Sequence, residues 1–374
     1  MLVAGEASAD HHGANLVRAI KGKDPGISFW GIGGEKMAAA GVRILVPSSE
    51  MAVVGMTEVL SRFRTIIRAY LSLKSFLREN HPGLLILIDY PEFNLFLARS
   101  ARRYNVPVLY YICPQVWAWR RGRIKKLAKR VDRMAVILPF EADYYRQRGL
   151  DVEYVGHPLL DGIPPVSARD GVIRELGFTE NRPLLGLLPG SRIEEVNHLL
   201  PPMIKAAEIL SRRYPELGCI IPLASTITED HIASLVRGAP VKIRVSRESI
   251  YTLLSACDLA LVTSGTATLE TAIMGVPMVI VYRISPVSYR IGKMVVRVPH
   301  IGLVNLVAEQ RVVPELIQDD VTPERLAQEA LPLIRGGQER ENMIKNLELV
   351  RHRLGQGGAS DRVAEMALDL LNIS

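Results

Sequence analysis

Asp89 is the residue of this chain whose surroundings best suit acid–base chemistry. It follows the apolar run at residues 84–88, which is too short for a buried helix and is typical of a strand covered on both faces of a parallel sheet. Open parallel sheets bind ligands beyond the carboxyl ends of their strands, where Asp89 would lie. Pro91 restricts the turn that follows. The Asp89 carboxylate is therefore a candidate general base, and a helix cap or turn-ordering role is the alternative.

Two glycine turns in the second half of the chain have the residue types of phosphate-binding loops. A predicted strand at 184–188 runs into the turn 189–192, and another at 259–262 runs into the turn 263–266, with a helix expected after each. The start of a helix offers unpaired N–H groups and about half a positive charge, which suits a phosphate. Arg192 could add a bidentate contact to the same phosphate, or could simply be a solvent-exposed arginine.

Glu270 lies one turn into the second of these helices. Its carboxylate could accept hydrogen bonds from ribose hydroxyls. The alternative is a favourable interaction with the helix dipole, worth roughly 0.3 to 1 kcal/mol. Because two phosphate-type turns follow strands of one domain, the sequence predicts a diphosphate or nucleotide across this edge of the sheet.

The loop at residues 5–10 should open at the same kind of edge in the first half. It lacks the Gly-x-Gly-x-x-Gly spacing of dinucleotide folds, which argues against a nicotinamide or flavin enzyme. His11 and His12 are adjacent, so they point in different directions on a helix, and no other residue has ligand spacing to them. The sequence therefore predicts neither a metal site nor a cofactor.

One predicted helix combines an apolar stripe with basic residues. The stripe has helical spacing and includes Val59, Leu60, Phe63, Ile66 and Ile67. Such a helix could lie in a lipid headgroup layer with its apolar face inserted, or could be an ordinary helix packed on the sheet. A denser basic cluster at 120–130 predicts either phosphate attraction or a solvated face. No nucleic-acid-binding motif accompanies it, so nucleic acid is not an expected partner.

The totals favour a two-domain protein. The chain has 374 residues, of which 48% are hydrophobic, and a net charge of +7 that predicts attraction to phosphates. No apolar stretch reaches the roughly 18 residues of a membrane-spanning helix. The amino terminus has the pattern of a first strand and lacks that of a secretory signal. The three cysteines have no paired spacing, which fits a reducing cytosolic compartment.

Alternating strand and helix patterns predict a doubly wound α/β chain. A proline- and glycine-rich stretch at 156–165 suggests the linker between two Rossmann-like domains, residues 1–163 and 164–340. A helical tail at 341–374 is expected to cross back onto the first domain. The predicted strands lie near residues 1–4, 84–88, 108–112, 134–138, 184–188, 219–222, 242–245, 259–262 and 278–282.

An ordered set of short motifs over nearly the whole chain resembles the lipid A disaccharide synthases. The motifs are GEASAD, GIGGEKM, DYPEFN, CPQVWAWR, LPFE, GHPL, LLPGSR and SGTATLE, followed by Asn305 and PELIQ. These enzymes are inverting glycosyltransferases of the GT-B type, in which two Rossmann-like sheets face each other across a cleft. The resemblance implies transfer of 2,3-diacylglucosamine from its UDP derivative to the 6-hydroxyl of 2,3-diacylglucosamine 1-phosphate. The products are a β-1,6-linked disaccharide 1-phosphate and UDP.

The resemblance also implies roles for individual residues and for the two domains. Asp89 matches the family's essential carboxylate. The first domain would bind the acceptor and face the membrane, with Glu6, Ser8 and Asn94 on the acceptor side and the stripe from Val59 to Ile67 as the membrane-facing patch. The second domain would bind the UDP-sugar through Ser191, Arg192, Ser264, Gly265, Thr266, Glu270 and Asn305.

The same resemblance implies the location and the partners of the protein. It would be cytoplasmic and peripherally attached to the anionic inner face of the cytoplasmic membrane, and a homodimer is left open. Four residues depart from the family pattern: Ala9 stands where glycine is common, Cys113 where serine is, and Val304 and Glu309 where proline and glycine are. The last two bear on the uridine side of the site.

Two other readings remain open from the residues. The chain could be another UDP-sugar enzyme of the same architecture, such as a muramyl-type transferase or a 2-epimerase, in which case a water-soluble UDP-sugar would be its substrate. It could also be a peripheral lipid- or nucleotide-binding protein without catalysis, which would bind UDP but form no product.

Overall fold

The computed structural model describes residues 1–51, 59–117, 121–164, 169–179, 182–295 and 298–373. The chain divides into two compact units. The first consists of Met1–Gly162 and Leu354–Ser374, and the second of Ile163–Arg353. Each unit is an α/β unit built on one parallel sheet. The predicted fold class, two Rossmann-like α/β domains, is therefore confirmed.

The first unit contains a seven-stranded parallel sheet with the order β3-β2-β1-β4-β5-β6-β7. Its central strands β1, β4 and β5 are buried along their whole length, because helices cover both faces of the sheet. The strands are β1 (Leu2–Ala4), β2 (Phe29–Gly33), β3 (Val42–Pro47), β4 (Leu85–Ile88), β5 (Val108–Tyr111), β6 (Arg133–Val136) and β7 (Val152–Tyr154). The helices before the crossover are α1 (Ala7–Lys23), α2 (Glu35–Ala39), α3 (Val59–Asn80), α4 (Pro91–Arg103), α5 (Ile124–Arg130) and α6 (Pro139–Arg146).

The second unit contains a six-stranded parallel sheet with the order β10-β9-β8-β11-β12-β13. The strands are β8 (Leu184–Leu188), β9 (Gly218–Pro222), β10 (Lys242–Ser246), β11 (Leu259–Thr263), β12 (Met278–Tyr282) and β13 (Glu315–Ile317). The helices are α7 (Arg169–Glu175), α8 (Ile193–Ser211), α9 (Glu229–Val236), α10 (Ile250–Ala256), α11 (Thr266–Ile273), α12 (Pro286–Val295), α13 (Leu303–Ala308), α14 (Pro323–Ile334) and α15 (Gln338–Arg353).

Both sheets have one switch point, where the order of the strands reverses. It lies between β1 and β4 in the first sheet and between β8 and β11 in the second. Helices leave opposite faces of the sheet on the two sides of such a point, which opens a crevice at the carboxyl ends of the strands. Asp89 follows β4, and the two glycine turns follow β8 and β11. The fold thus places the predicted chemistry of each half at its switch point.

The carboxyl-terminal tail begins later than the sequence suggested. The predicted boundary at 340/341 falls inside α15, which packs on α11, α13 and α14 of the second unit. The chain returns to the first unit at Leu354, and α16 (Ala359–Ile373) packs along α1. The Asp161 carboxylate accepts hydrogen bonds from the N–H groups of Gly358, Ala359 and Ser360 and so fixes the start of α16. No described helix has the length and apolar content to span a bilayer.

Candidate functional site

Asp89 starts a sharp turn between β4 and α4. Its N–H still donates to the Tyr111 carbonyl at 3.2 Å, so the residue extends the hydrogen bonding of the sheet. Asp89 and Tyr90 then both have a φ of +48°, in the left-handed region. Aspartate tolerates this region, but an aromatic residue there is strained. Such strain persists only where the surrounding contacts hold the backbone in place, and it is common at functional sites.

The Tyr90 side chain is one of the parts that hold this turn. Its hydroxyl donates to the Met51 carbonyl at 3.2 Å. Its ring lies so close to Gly5 that a Cβ added to Gly5 would be 2.7 Å from the ring. The loop after β1 therefore supports the Asp89 turn, and this close contact explains why the GEASAD motif has a glycine at position 5.

We expect Gly5→Ala to lower kcat by about one to two orders of magnitude, because the added methyl group pushes the Tyr90 ring and with it the turn that carries Asp89. Steady-state kinetics together with a melting curve of the variant would measure this. Gly22→Ala is the matched control, since a Cβ on that glycine of α1 meets nothing within 4 Å. An unchanged kcat in Gly5→Ala would contradict the prediction.

The carboxyl group of Asp89 is electrostatically suited to act as a base. Burial and the nearby charge of Glu6 raise the pKa of Asp89 to about 6. The parallel register pairs Ala4 with Ile88, so the loops after β1 and β4 lie side by side. A base with a pKa just below the working pH is ionised and still takes up a proton readily. Ser8, in the first turn of α1, is exposed, as is Glu6, which precedes this helix.

Asn94 differs from its predicted place on the acceptor side. Its side chain is fully buried in α4. Its amide donates to the Asp89 carbonyl at 2.6 Å and to the Ile88 carbonyl at 3.3 Å. Asn94 therefore shapes the backbone under Asp89 and does not face solvent, because a short polar side chain three residues into a helix can bond back to the turn before it.

The second unit has a cavity of about 450 Å³ at its switch point. Ligand sites of small molecules typically have volumes in this range. The turns after β8 and β11 form its walls, and its lining includes Gly190, Ser191, Arg192, Glu195, Thr263, Ser264, Gly265, Thr266 and Glu270. The structure thus brings six of the seven residues that were predicted to bind the nucleotide to one cavity.

The first wall of this cavity is the start of α8. Gly190 has a φ of +107°, and a Cβ there would collide with the Glu195 carboxylate, so glycine is required. Arg192 precedes the helix and pairs with Glu195, with Nη1 2.9 Å from Oε1, although its side chain is 80% exposed. An exposed pair of this kind is worth at most about 1 kcal/mol. A phosphate can therefore displace Glu195 from the guanidinium at little cost. Ser191 is exposed beside it.

The second wall is the start of α11. Thr266 is exposed at the first position of this helix, and the first N–H groups of a helix have no carbonyl of their own helix to bond. The Ser264 hydroxyl donates to the Ile301 carbonyl at 3.1 Å, so this serine also ties the turn to the loop before α13. Two helix starts therefore face one cavity, which is the arrangement that suits a diphosphate.

Glu270 lies inside the cavity and is half-buried. Burial raises the pKa of its carboxyl group to about 7, and a hydrogen bond from the Tyr251 hydroxyl opposes that rise. At neutral pH Glu270 is thus close to the midpoint of its titration. Its protonation state decides whether it accepts hydrogen bonds from two hydroxyls or also donates one.

Asn305 does not belong to the cavity, contrary to the prediction. It is fully buried in α13. Its amide donates to the Val313 carbonyl at 3.0 Å and to Glu315 Oε1 at 2.8 Å, and its Oδ1 accepts from the N–H groups of Val312 and Val313. With these bonds made, Asn305 fixes the segment that leads into β13 and has no capacity left for a nucleotide.

One departure from the family pattern has a clear local consequence. Glu309 ends α13 with a φ of +57°, in the left-handed region where helices commonly end on glycine. We expect Glu309→Gly to raise the free energy of unfolding by about 1 kcal/mol, because it relieves the clash of the Cβ. Urea unfolding of the intact chain would measure it. Glu309→Gln keeps the Cβ and loses only an exposed ion pair with Arg353, so equal stability of the two variants would contradict the prediction.

Part of the predicted membrane-facing stripe lies outside the described side chains. Val59, Leu60 and Phe63 are in α3, but their side chains are not described. Ile66 is half-buried and packs against the core of the first unit. Ile67 and Leu71 are 40% and 54% exposed. The described half of α3 therefore exposes the apolar side chains of Ile67 and Leu71, and its other apolar side chains are buried or half-buried.

No group of three or more histidine, cysteine or acidic residues in the described part of the chain could hold a metal ion. His11 and His12 have ring centroids 5.8 Å apart. Burial lowers the pKa of His12 to about 4, so this side chain is neutral at physiological pH.

Comparisons with known proteins identify the family. A model described as lipid-A-disaccharide synthetase matches residues 1–367. A lipid-A-disaccharide synthase of Geobacter sulfurreducens is 49% identical over 371 residues, which are 99% of this chain and 97% of that protein.

Two solved structures with distant sequences share the fold. A UDP-GlcNAc 2-epimerase of Neisseria meningitidis bound to UDP-GlcNAc has a TM-score of 0.68 at 12% identity and covers 98% of this chain and 99% of its own. MurG of Acinetobacter baumannii has a TM-score of 0.61 at 17% identity, and the match covers 99% of this chain and 98% of the MurG chain. These likenesses concern the fold alone, whereas the family match and the close relatives concern the sequence itself. The chain belongs to the lipid-A-disaccharide synthase family.

Proposed function

We propose that this protein is an inverting hexosyltransferase that makes the lipid A disaccharide. It joins UDP-2,3-diacylglucosamine to the 6-hydroxyl of 2,3-diacylglucosamine 1-phosphate, and the products are the β-1,6-linked disaccharide 1-phosphate and UDP. The observation that carries the proposal is Asp89, a half-buried carboxyl with a pKa of about 6 at the switch point of the first sheet in a chain of this family.

Asp89 supplies the base of the reaction. Its carboxylate takes the proton from the acceptor 6-hydroxyl as that oxygen attacks the anomeric carbon of the donor. The bond from the anomeric carbon to the UDP oxygen breaks on the opposite face, so the configuration inverts. General-base catalysis of this kind contributes roughly 10² to 10⁴ in rate.

The second unit holds the leaving group. The starts of α8 and α11 direct N–H groups and partial positive charge toward the diphosphate, whose charge grows as the bond breaks. The exposed Arg192 exchanges its partner Glu195 for a phosphate oxygen. Glu270 accepts hydrogen bonds from the ribose hydroxyls. These groups need no metal ion to stabilise the departing UDP.

A two-substrate assay with mass detection tests the proposal. The intact protein is incubated with both acylated substrates in mixed micelles, and the expected products are the tetra-acylated disaccharide phosphate and an equal amount of UDP. Asp89→Asn is the control for catalysis by the protein itself. Turnover of unacylated UDP-GlcNAc without an acceptor would support a 2-epimerase instead, and UDP binding without any product would support a binding protein.

We further propose that the first unit attaches to an anionic membrane surface, the inner face of the cytoplasmic membrane. Three large apolar side chains are exposed on neighbouring helices: Ile67 and Leu71 on α3, and Phe96, at 58% exposure, on α4. Helix α4 packs on both α3 and α5. The described exposed basic residues on these three helices are Arg64, Arg68, Arg78, Arg99, Arg102, Arg103, Lys125, Lys126 and Lys129, of which Arg78 and Arg102 pair with acids. Apolar side chains among basic ones suit insertion between anionic headgroups.

Vesicle flotation tests this attachment. The parent protein is expected to float with vesicles that contain 30% anionic lipid and to stay in solution with neutral ones. A triple variant with serine at positions 67, 71 and 96 is expected to lose most of the binding. Leu349→Ser, which changes a leucine that is 60% exposed in the second unit, is the matched control. Equal flotation of all three proteins would overturn the proposal. A homodimer stays a prediction, which sedimentation of the intact chain tests.

A further inference from the structure

The carbonyl group of Asp89 has two buried hydrogen-bond donors. Tyr110 lies on β5, which pairs with β4, and its side chain is fully buried. Its hydroxyl donates to the Asp89 carbonyl oxygen at 2.7 Å, and the Asn94 amide donates to the same oxygen at 2.6 Å. Burial raises the pKa of Tyr110 well above its ordinary value, so the hydroxyl remains a donor at every physiological pH.

These two bonds act on the peptide plane that joins Asp89 to Tyr90. That plane carries the Asp89 carbonyl on one side and the Tyr90 N–H on the other. The backbone N–H of Tyr90 favours the ionised Asp89 carboxyl and lowers its pKa. A donor that holds the carbonyl therefore also sets the direction of the N–H that favours the charged carboxylate. The plane needs such support because Asp89 and Tyr90 both have left-handed backbone angles.

We infer that Tyr110 is a positioning residue. It orients the Asp89 carboxylate through the 89–90 peptide plane and does not contact the substrate. The inference rests on the proposed role of Asp89 as the base. Nothing in the sequence marks Tyr110 as functional, since it reads as one of several apolar residues of a buried strand. Its neighbour Tyr111 belongs to the core on the opposite face of the sheet, as the alternation of a strand requires.

Tyr110→Phe tests the inference, because it keeps the ring and removes only the donor. We expect kcat to fall about tenfold to a hundredfold with KM within twofold of the parent. The acid limb of the pH profile of kcat/KM is expected to move upward from about pH 6, since a misaligned Tyr90 N–H no longer favours the ionised carboxylate. A ¹³C NMR titration of the Asp89 carboxyl in the resting protein is expected to give the same upward shift.

Tyr145→Phe is the matched control. The Tyr145 hydroxyl is also buried and donates to a backbone carbonyl, that of Pro114, at 2.6 Å. We expect it to lower the melting temperature about as much as Tyr110→Phe and to leave kcat and the acid limb unchanged. If Tyr110→Phe behaves like this control, the inference is wrong. Should Tyr110→Phe not fold, Asn94→Leu removes the other donor to the same carbonyl and must show the same upward shift.

The two variants Asp89→Asn and Tyr110→Phe distinguish a failure of the base assignment from a failure of this inference. If Asp89→Asn keeps most of the turnover, the base assignment fails, and the NMR titration still decides whether Tyr110 positions the carboxyl. If Asp89→Asn loses turnover and Tyr110→Phe changes neither the titration nor kcat, only the inference about Tyr110 fails.

Discussion

Asp89→Asn is expected to lower kcat by about 10² to 10⁴ while leaving the affinity for UDP unchanged. The amide has nearly the same shape and tolerates the left-handed backbone of this position, so only the basicity is lost. The proposed UDP site lies in the other unit, at the cavity that Arg192 and Glu270 line. Kinetics with both acylated substrates and calorimetry with UDP measure the two quantities. A kcat within a few-fold of the parent would remove Asp89 from the mechanism.

The same variant is expected to be more stable than the parent above pH 7. Burial and Glu6 raise the pKa of Asp89 to about 6 in the folded protein, whereas an unfolded aspartate has a pKa of about 4. The folded state therefore holds the proton more tightly, and this contribution to stability is full below pH 4 and is lost as the pH rises through 6. Asparagine carries no charge, so the variant does not lose stability at this position as the pH rises through 6.

Melting curves at pH 5 and pH 8 test this stability difference. The melting temperature of Asp89→Asn should exceed that of the parent by more at pH 8 than at pH 5, and the difference should shrink toward pH 4. Asp151→Asn, at an exposed position before β7, is the control and should show no such pH dependence. Greater stability combined with lost activity is the trade-off expected where a fold keeps an unfavourable charge for function. A lower melting temperature for Asp89→Asn at pH 8 would mean that the carboxylate stabilises the fold.

The sequence located the switch-point edges of both sheets because their signals are local. An unbroken apolar run followed by an acid, and strands followed by glycine turns, indicate the carboxyl ends of buried parallel strands. The nine strands predicted from such runs are present in the structure. The strands β2, β3, β7 and β13 were missed. They are short, or they contain glycines or half-exposed residues, so their runs lack the continuous apolar character of a central strand.

The roles of two asparagines could not be predicted, because a motif does not say in which direction a side chain points. Asn94 and Asn305 stand in motifs of residues predicted to bind ligands, and both turn inward to bond the backbone. For Asn305 a signal was present, since it lies among Val304, Leu306 and Val307 on a short apolar helix. A buried asparagine there must satisfy its amide within the protein. For Tyr110 there was no signal, because its hydroxyl meets Asp89 only once β4 and β5 are paired.

The boundary of the tail was predicted too early for a similar reason. Gly336 and Gly337 separate α14 from α15, and nothing local shows which unit α15 packs against. The glycines 355, 357 and 358 mark the actual change, where the chain bends into the start of α16.

Glu270→Gln is expected to weaken UDP binding at pH 8 by about tenfold and to reduce its dependence on pH. Burial raises the pKa of Glu270 to about 7, so the carboxyl is largely protonated at pH 6 and ionised at pH 8. Only the ionised form can accept hydrogen bonds from two ribose hydroxyls at full strength. The affinity of the parent for UDP should therefore rise from pH 6 to pH 8.

The terminal phosphate of UDP also ionises, near pH 6, so the contribution of Glu270 is the difference between the parent and Glu270→Gln measured with the same ligand. Isothermal titration at pH 6, 7 and 8 gives that difference, and Glu324→Gln, an exposed acid at the start of α14, serves as the matched control. We expect the two curves to converge toward pH 6, where the protonated carboxyl and the amide offer the ribose similar groups. Parallel curves for parent and variant would mean that Glu270 does not contact the ribose, and the acid would then act only on the dipole of α11.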